Sequence, residues 1–313
     1  MVRYLAYRIG SAICVVILVS LLSFFLIKLI PGDPAAVIAG PGASLQDVQR
    51  IRQVLGTDQP LWVQFLSWDR GLLHGNLGTS FALSKPVTSA IAERLPVTLA
   101  LALFAFMLTV LFGIVSGILA ALNKNTLIDH ATMLLALVGL SVPNFWLGLM
   151  LIFLFAVELG WLPSGGYVPL LQDPAGWIAS ITLPAISLAL MNIGLLARMT
   201  RSSMLEVLGQ DFIRTARAKG VPAGRVVTRH ALRSALIPMV TTLGIMFSLL
   251  LGGSVVIETV YSLPGFGALL ASAILSRDYP TIQGGLLLVA VVMVLVNLAV
   301  DLLYMFIDPR IGP

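Results

Sequence analysis

The chain is 313 residues long, 58% hydrophobic and 11% charged, with a formal net charge of +5 at pH 7. Water-soluble domains carry about 25% charged residues, so this composition excludes an ordinary soluble fold and points to a chain held mostly in a bilayer. The single cysteine, Cys14, excludes an internal disulfide framework.

Apolar runs of about 18 residues or more read as membrane-spanning helices, because a backbone in lipid must satisfy its own hydrogen bonds. Charge-free stretches of that length occur at 9–27, 95–123, 131–157, 174–197, 234–257 and 281–300. They predict an all-α integral membrane protein of six transmembrane helices, read as a single membrane domain over 1–313. Arg3 and Arg8 precede the first run and place the N-terminus in the cytoplasm. Six crossings then put the tail at Asp308-Pro-Arg310 on the same side, so both termini are expected to be cytoplasmic. The opposite side receives 161–173, without Lys or Arg, and 261–280, with only Arg277. It also receives an extracytoplasmic region, 32–94, whose basic residues do not conflict, since loops of about 60 residues or more escape the charge rule. The net positive charge is thus a topology signal, and nucleic-acid binding is not expected.

The first run is longer than the apolar core of about 7–15 residues in a signal peptide. No small-residue cleavage pattern follows Lys28, so the run is read as a retained helix. Pro31-Gly-Asp-Pro34 ends it abruptly, since proline lacks a donor and restricts the residue before it. Helical patterns at 44–55 and 61–73 predict a small folded cap. Gly113 and Gly117 have the small-xxx-small spacing that permits close helix approach. Pro143 and Pro184 fall inside apolar runs and are expected to kink them. Among charges near the runs, Lys28 and Glu158 reach the interfaces. Glu258 and Asp301 leave two roles open, a structural hydrogen bond or a part in gating and the solute path.

The motifs of catalysis are missing. There is no Gly-x-x-x-x-Gly-Lys-Ser/Thr phosphate loop, no His-Glu-x-x-His pair and no Gly-x-Ser-x-Gly elbow. His74, His130 and His230 are far apart, and the carboxylates form no local pair. An enzyme is not expected, and neither is a cofactor in this chain. The competing class is an ion- or proton-coupled secondary transporter, which places carboxylates at mid-membrane and repeats its halves. This sequence offers few such groups and no visible repeat.

The loop 204–237 is the most individual segment. It carries Arg214, Arg217, Lys219, Arg225, Arg229 and Arg233 against Glu206 and Asp211. Leu205, Leu208, Phe212 and Ala216 recur at helical spacing and predict one apolar face. Gly220-Val-Pro222-Ala-Gly224 is a helix stop, after which Arg225, Arg229 and Arg233 step by four along a second helix. Spacing alone leaves two readings equal: an amphipathic hairpin on anionic lipid and a dock for a soluble protein.

Asp211-Phe-Ile-Arg-Thr-Ala-Arg-Ala-Lys-Gly220 resembles the coupling segment of ABC-importer permeases, in the branch that moves di- and oligopeptides, nickel complexes and glutathione. Other marks of that branch follow in order: Ile30-Pro-Gly-Asp-Pro34, Leu55-Gly-Thr-Asp-Gln-Pro60, Gly75-Asn-Leu-Gly-Thr-Ser80 and Arg94-Leu-Pro-Val-Thr-Leu99. Ser141-Val-Pro-Asn-Phe-Trp146, Leu162-Pro-Ser-Gly-Gly166, Glu258-Thr-Val-Tyr-Ser-Leu-Pro-Gly-Phe-Gly267 and Asp308-Pro-Arg310 complete the series. The long outer loop and its Pro-Gly-Asp-Pro start resemble the first of the two paired permeases. The wider superfamily shows Glu-Ala-Ala, three residues, Gly, nine residues and Ile-x-Leu-Pro. Here those positions hold Arg214, Thr215, Ala216, Gly220, His230, Leu232 and Arg233, so only the second Ala, the Gly and the Leu survive, as in the peptide branch.

The resemblance implies the type I importer arrangement in a bacterial inner membrane. It implies pairing with a second permease, two ATP-binding subunits that hold ATP and Mg, and an extracytoplasmic solute-binding protein, all in a lipid bilayer. Its coupling residues would be Leu208, Asp211, Phe212, Ile213, Arg214, Thr215, Ala216, Arg217, Ala218, Lys219 and Gly220. A gate or path role would fall to Glu258, Tyr261, Pro264, Gly265, Phe266, Gly267 and Asp301.

Overall fold

Backbone that cannot bond to water closes its own hydrogen bonds, and in the computed structural model, which describes residues 2–28, 33–40, 42–236 and 239–307, helices dominate. They begin with α1 (Val2–Lys28), α2 (Pro34–Ala39), α3 (Leu45–Leu55) and α4 (Leu61–Leu73). A two-residue hairpin, β1 (Thr79–Ser80) against β2 (Lys85–Pro86), pairs antiparallel with Ser80 opposite Lys85. Next come α5 (Val87–Leu122), α6 (Leu127–Ser141) and α7 (Asn144–Leu151), which continues as a π-helical segment, Ile152–Glu158. α8 (Pro174–Leu208), α9 (Asp211–Ala218) and α10 (Ala223–Arg225) follow, and a π-helical Val226–Ala231 joins α10 to α11 (Leu232–Leu236). α12 (Met239–Val260), α13 (Phe266–Leu275) and α14 (Tyr279–Ile307) complete the order.

Among the described residues, each expected span falls on helix except at the Val142–Pro143 break. α5, α8, Thr242–Val260 of α12 and Tyr279–Val300 of α14 are long and apolar enough to cross a membrane, and α1 contains a shorter apolar helix, Gly10–Phe25. The third span departs from the expected single helix. α6 and α7 form an apolar pair bent by 103° at a short break. Pro143 causes it: it pushes Val142 out of helical geometry, to φ −85 and ψ 122, and has no N–H for the next turn. Pro184, in contrast, lies buried within α8, which runs on through it. α8 also extends past the apolar run, to Leu208, so the basic loop begins inside a helix of about 52 Å. Large apolar side chains such as Leu135 and Leu249 stay 70% and 58% exposed, as surfaces that meet lipid tails must be.

The chain divides into two compact units, Met1–Pro96 with Ala268–Leu295, and Val97–Gly267 with the chain from Val296. In the first, Ser44 caps α3 in a reciprocal capping box with Asp47. α4 lies along the end of α1, where the Phe24 ring meets Phe65 at 5.4 Å and Trp68 at 6.0 Å. In the second unit, α8 is the central element. A Cβ at Gly113 would press on Leu196 and one at Gly117 would overlap Thr200, so the small-xxx-small pair seats α5 directly on α8. Gly194 of α8 meets the Ala136 carbonyl of α6 in the same way. The core here is Leu101, Ile181, Leu188, Leu250, Ile257 and Tyr261.

The charge rule puts 32–94 outside and 204–237 inside. A lone cysteine at Asp58 in a Cys14→Ser background should therefore react with an impermeant maleimide from outside, and one at Gly224 from inside only. Both positions are exposed. The reverse labelling pattern contradicts the topology.

Candidate functional site

The basic loop folds as two short helices against the end of α8. Gly209 and Gln210 interrupt the helix, and Gln210 takes extended geometry as the N-cap of α9. Asp211 in the first turn and Arg217 in the last both suit the helix dipole. Gly220, at φ +75, closes α9 with a left-handed turn in which its amide bonds the Arg217 carbonyl and the Val221 amide bonds the Ala216 carbonyl. A side chain at Gly220 would be strained there whatever the space around it.

The break resets the helical phase, and that corrects the expected apolar face. Ile213, fully buried, is the anchor of α9; it packs with Met204, Val207, Val226, Ala231 and Ala235. Phe212, expected beside Leu205 and Leu208, is 42% exposed instead. Leu208 and Ala216 are half-buried at the edge of the cluster. Asp211, Arg214, Thr215, Arg217, Ala218, Lys219 and Gly220 are all exposed. Phe212, Thr215, Ala216 and Lys219 follow the spacing of a single helix row, a mixed apolar and cationic strip. The Asp211–Arg214 ion pair is 3.3 Å long with side chains 94% and 75% exposed, and adds little rigidity. Arg225, Arg229 and Arg233 are exposed on the second helix.

Behind this surface lies a pair that sequence reading missed. Arg201 of α8 grips Asp129 at the start of α6 in a bidentate ion pair of 2.5 and 2.6 Å, and the Asn125 amide donates to the same carboxylate. Asp129 is nearly fully buried and Arg201 only 25% exposed in its side chain. A pair so enclosed is costly to break from one side, and it ties the 123–129 turn to α8.

The second candidate region is the turn after α12. Glu258 is fully buried. Its carboxylate accepts from the Thr98 hydroxyl at 2.6 Å, and the Thr98 oxygen accepts from the Phe266 amide at 2.8 Å. The Leu263 amide donates to the Glu258 carbonyl at 2.8 Å. Gly265 lies against the Glu258 carboxylate so closely that a Cβ there would collide with it, and a Cβ at Gly267 would collide with Val255 and press on the same carboxylate. Tyr261 points the other way, its hydroxyl 2.9 Å from the Ser187 hydroxyl and donating to the Gly148 carbonyl at 3.2 Å. Its own carbonyl receives the Gly166 amide at 3.0 Å. Phe266 is buried and Pro264 half-buried. Asp301 lies on α14, and its side chain is outside those described.

Two other motifs of the sequence therefore converge on this turn, Thr98 from 94–99 and Gly165 and Gly166 from 162–166, together with Gly148 just after 141–146. The first unit repeats the device. Buried Asp278 accepts from the Ser80 hydroxyl at 2.5 Å and from the Thr281 hydroxyl at 2.8 Å, which gives the 75–80 motif its reason.

A family model described as a binding-protein-dependent transport system inner membrane component matches residues 113–313, and the model of its N-terminal region matches 1–102. A putative peptide transport system permease protein of Brucella abortus is 54% identical over 304 residues, 97% of each chain. A dipeptide transport system permease protein of Alkalihalophilus pseudofirmus is 42% identical over 331 residues, and a glutathione transport system permease protein of Salmonella choleraesuis 44% over 311, each covering 99% of both chains. Among solved structures, a chain of the inward-facing MetNI methionine ABC transporter superposes with a TM-score of 0.57 at 19% identity, over 70% of this chain and 96% of that one, a likeness of fold.

Proposed function

The chain belongs to the family of binding-protein-dependent transport system inner membrane components, and from that premise we propose that it carries short peptides across a bacterial inner membrane. It is a multi-pass permease subunit of an ABC importer and not an enzyme. The cargo reading rests on relatives named for peptides, a dipeptide and glutathione, each aligned over almost the whole chain. Their common chemistry is a short, water-soluble chain of amide groups.

In this proposal α9 is the coupling helix. The observation that carries it is the exposed Phe212 on a helix pinned by buried Ile213, in one row with Ala216 and the cationic Lys219. A lipid anchor needs only the charge, whereas a protein dock needs an apolar centre with a cationic rim. Two ATP-binding subunits, holding ATP and Mg, would each receive one such helix, from this chain and from a second permease. A solute-binding protein would deliver cargo on the outer side. Nucleotide binds the ATPases differently in their open and closed states, and the loop passes that difference on. The buried turn at Glu258–Gly267 would act as the stiff end of α12 in the gate, holding its position while Asp301 and the neighbouring helices move.

The experiment is reconstitution. Proteoliposomes holding the four membrane subunits, with the binding protein outside, should take up a labelled tripeptide only with ATP. The chain alone should neither hydrolyse ATP nor accumulate peptide. Uptake by the single chain under a proton gradient would establish a secondary transporter instead.

A further inference from the structure

The turn between α5 and α6 hangs on one side chain. Of residues 122–135, Asp129 alone is buried. Its neighbours Leu127 and Ile128 are 87% and 52% exposed, and Lys124, Thr126 and His130 are exposed too. Close contacts at glycines seat α6 on α8 further along, at Ala136 against Gly194 and at Gly139 against Leu190. Before Ala136 the helix runs from Leu127 for about 13 Å, and over that length its one buried residue is the carboxylate that Arg201 grips. The turn also contains a left-handed residue, Asn125 at φ +63, whose amide donates to the same carboxylate.

Arg201 stands one turn before Met204 on α8. Met204 and Val207 pack around Ile213, the anchor of α9, in one cluster with Ala121 at the end of α5. A displacement of α9 therefore reaches α8 and the end of α5 through apolar packing, and reaches the start of α6 through the ion pair. At its other end α6 stops at the Pro143 break, beyond which the Gly148 carbonyl accepts from Tyr261. A charge pair is a costly way to fill this position. Well-packed apolar residues in place of a buried pair are often as stable or more so, whereas the planar fork of an arginine on a carboxylate fixes one arrangement. We propose that Asp129 and Arg201 are positioning residues of transport: they make the start of α6 follow the coupling helix, so that ATP-driven movement at α9 arrives at the Pro143 break. This rests on the importer reading above, in which α9 docks an ATP-binding subunit.

The quantity to measure is tripeptide taken up per ATP hydrolysed, by the complete complex in proteoliposomes with the binding protein outside. Asp129→Leu with Arg201→Met replaces the pair by apolar side chains and should melt no lower than the parent. It should assemble and hydrolyse ATP, yet its uptake per ATP should fall about fivefold or more, the lower range of couplings between distant sites. A second variant, Cys14→Ser with Asp129→Cys and Arg201→Cys, asks the same question within one folded sample. Bridged by a short reducible bis-methanethiosulfonate linker, it should recover most of the ratio of the Cys14→Ser parent, and a reductant that releases the linker should lose it again. A parent ratio in the apolar variant, or a cysteine pair whose ratio ignores the linker, would reduce the pair to a structural contact and overturn the proposal. ATP-driven uptake by the parent complex tests the importer reading separately.

Discussion

Phe212→Asp should abolish co-purification of the ATP-binding subunits while leaving the chain folded in the membrane. Phe212 is exposed and the buried Ile213 anchors α9, with Ala216 at the edge of the same cluster, so a charge at 212 disturbs no core. Surface changes of that kind stay within about 0.5 kcal/mol of the parent stability. At a protein interface the same carboxylate is buried without a partner. Truncation alone, Phe212→Ala, removes on the order of 2 kcal/mol at an interface centre, about a 30-fold loss of affinity, and the added charge deepens it. Ile213→Ala separates the two effects: it should lower the melting temperature of the loop itself, with loss of about 2–5 kcal/mol typical of a buried aliphatic truncation. Normal assembly and transport by Phe212→Asp, with release of the loop from anionic liposomes on neutralising Arg225, Arg229 and Arg233, would identify a lipid anchor.

Gly265→Ala should be nearly as damaging, by a different route. The added methyl would occupy the space of the buried Glu258 carboxylate, which Thr98 holds in place. Overpacking at a fixed polar group costs about 1–3 kcal/mol, and here it also threatens the Thr98–Glu258 and Phe266–Thr98 bonds. We expect a low yield of folded chain, and transport lost in whatever folds. Glu258→Leu should fail through the unpaired Thr98 hydroxyl, whereas Glu258→Gln keeps an acceptor and should recover most of the yield. If Gln proves as inactive as Leu with its thermal stability intact, the carboxylate charge itself takes part in transport and the turn is more than a structural clamp.

Much of this architecture was legible beforehand, for local reasons. A charge-free run of spanning length has one outcome in lipid, and a capping box such as Ser44 with Asp47 announces its own helix. Gly220 before Pro222 marked the end of α9 because few other residues tolerate φ +75. What escaped was non-local. Pro143 and Pro184 sit in equally apolar runs, yet only the first breaks its helix. Ile213 and not Phe212 packs with the Met204 and Val207 cluster because Gly209 and Gln210 reset the phase, and periodicity read across a break gives the wrong face. Thr98 and Glu258 are 160 residues apart, and Ser80 and Asp278 198 apart. No spacing rule reaches that far; the motifs flagged the segments, and only the fold pairs them.

The central claim is that α9 couples this permease to ATP-driven subunits, and a cross-link tests it most directly. A cysteine at the exposed Thr215, in a Cys14→Ser chain assembled with its ATP-binding subunits, should form a short-arm cross-link to one of them, and ATP should change its yield as the ATPases close. A control cysteine at Asp58, expected on the opposite side of the membrane, should form none. A chain that transports peptide with ATP yet never cross-links from position 215, in any nucleotide state, would contradict the account.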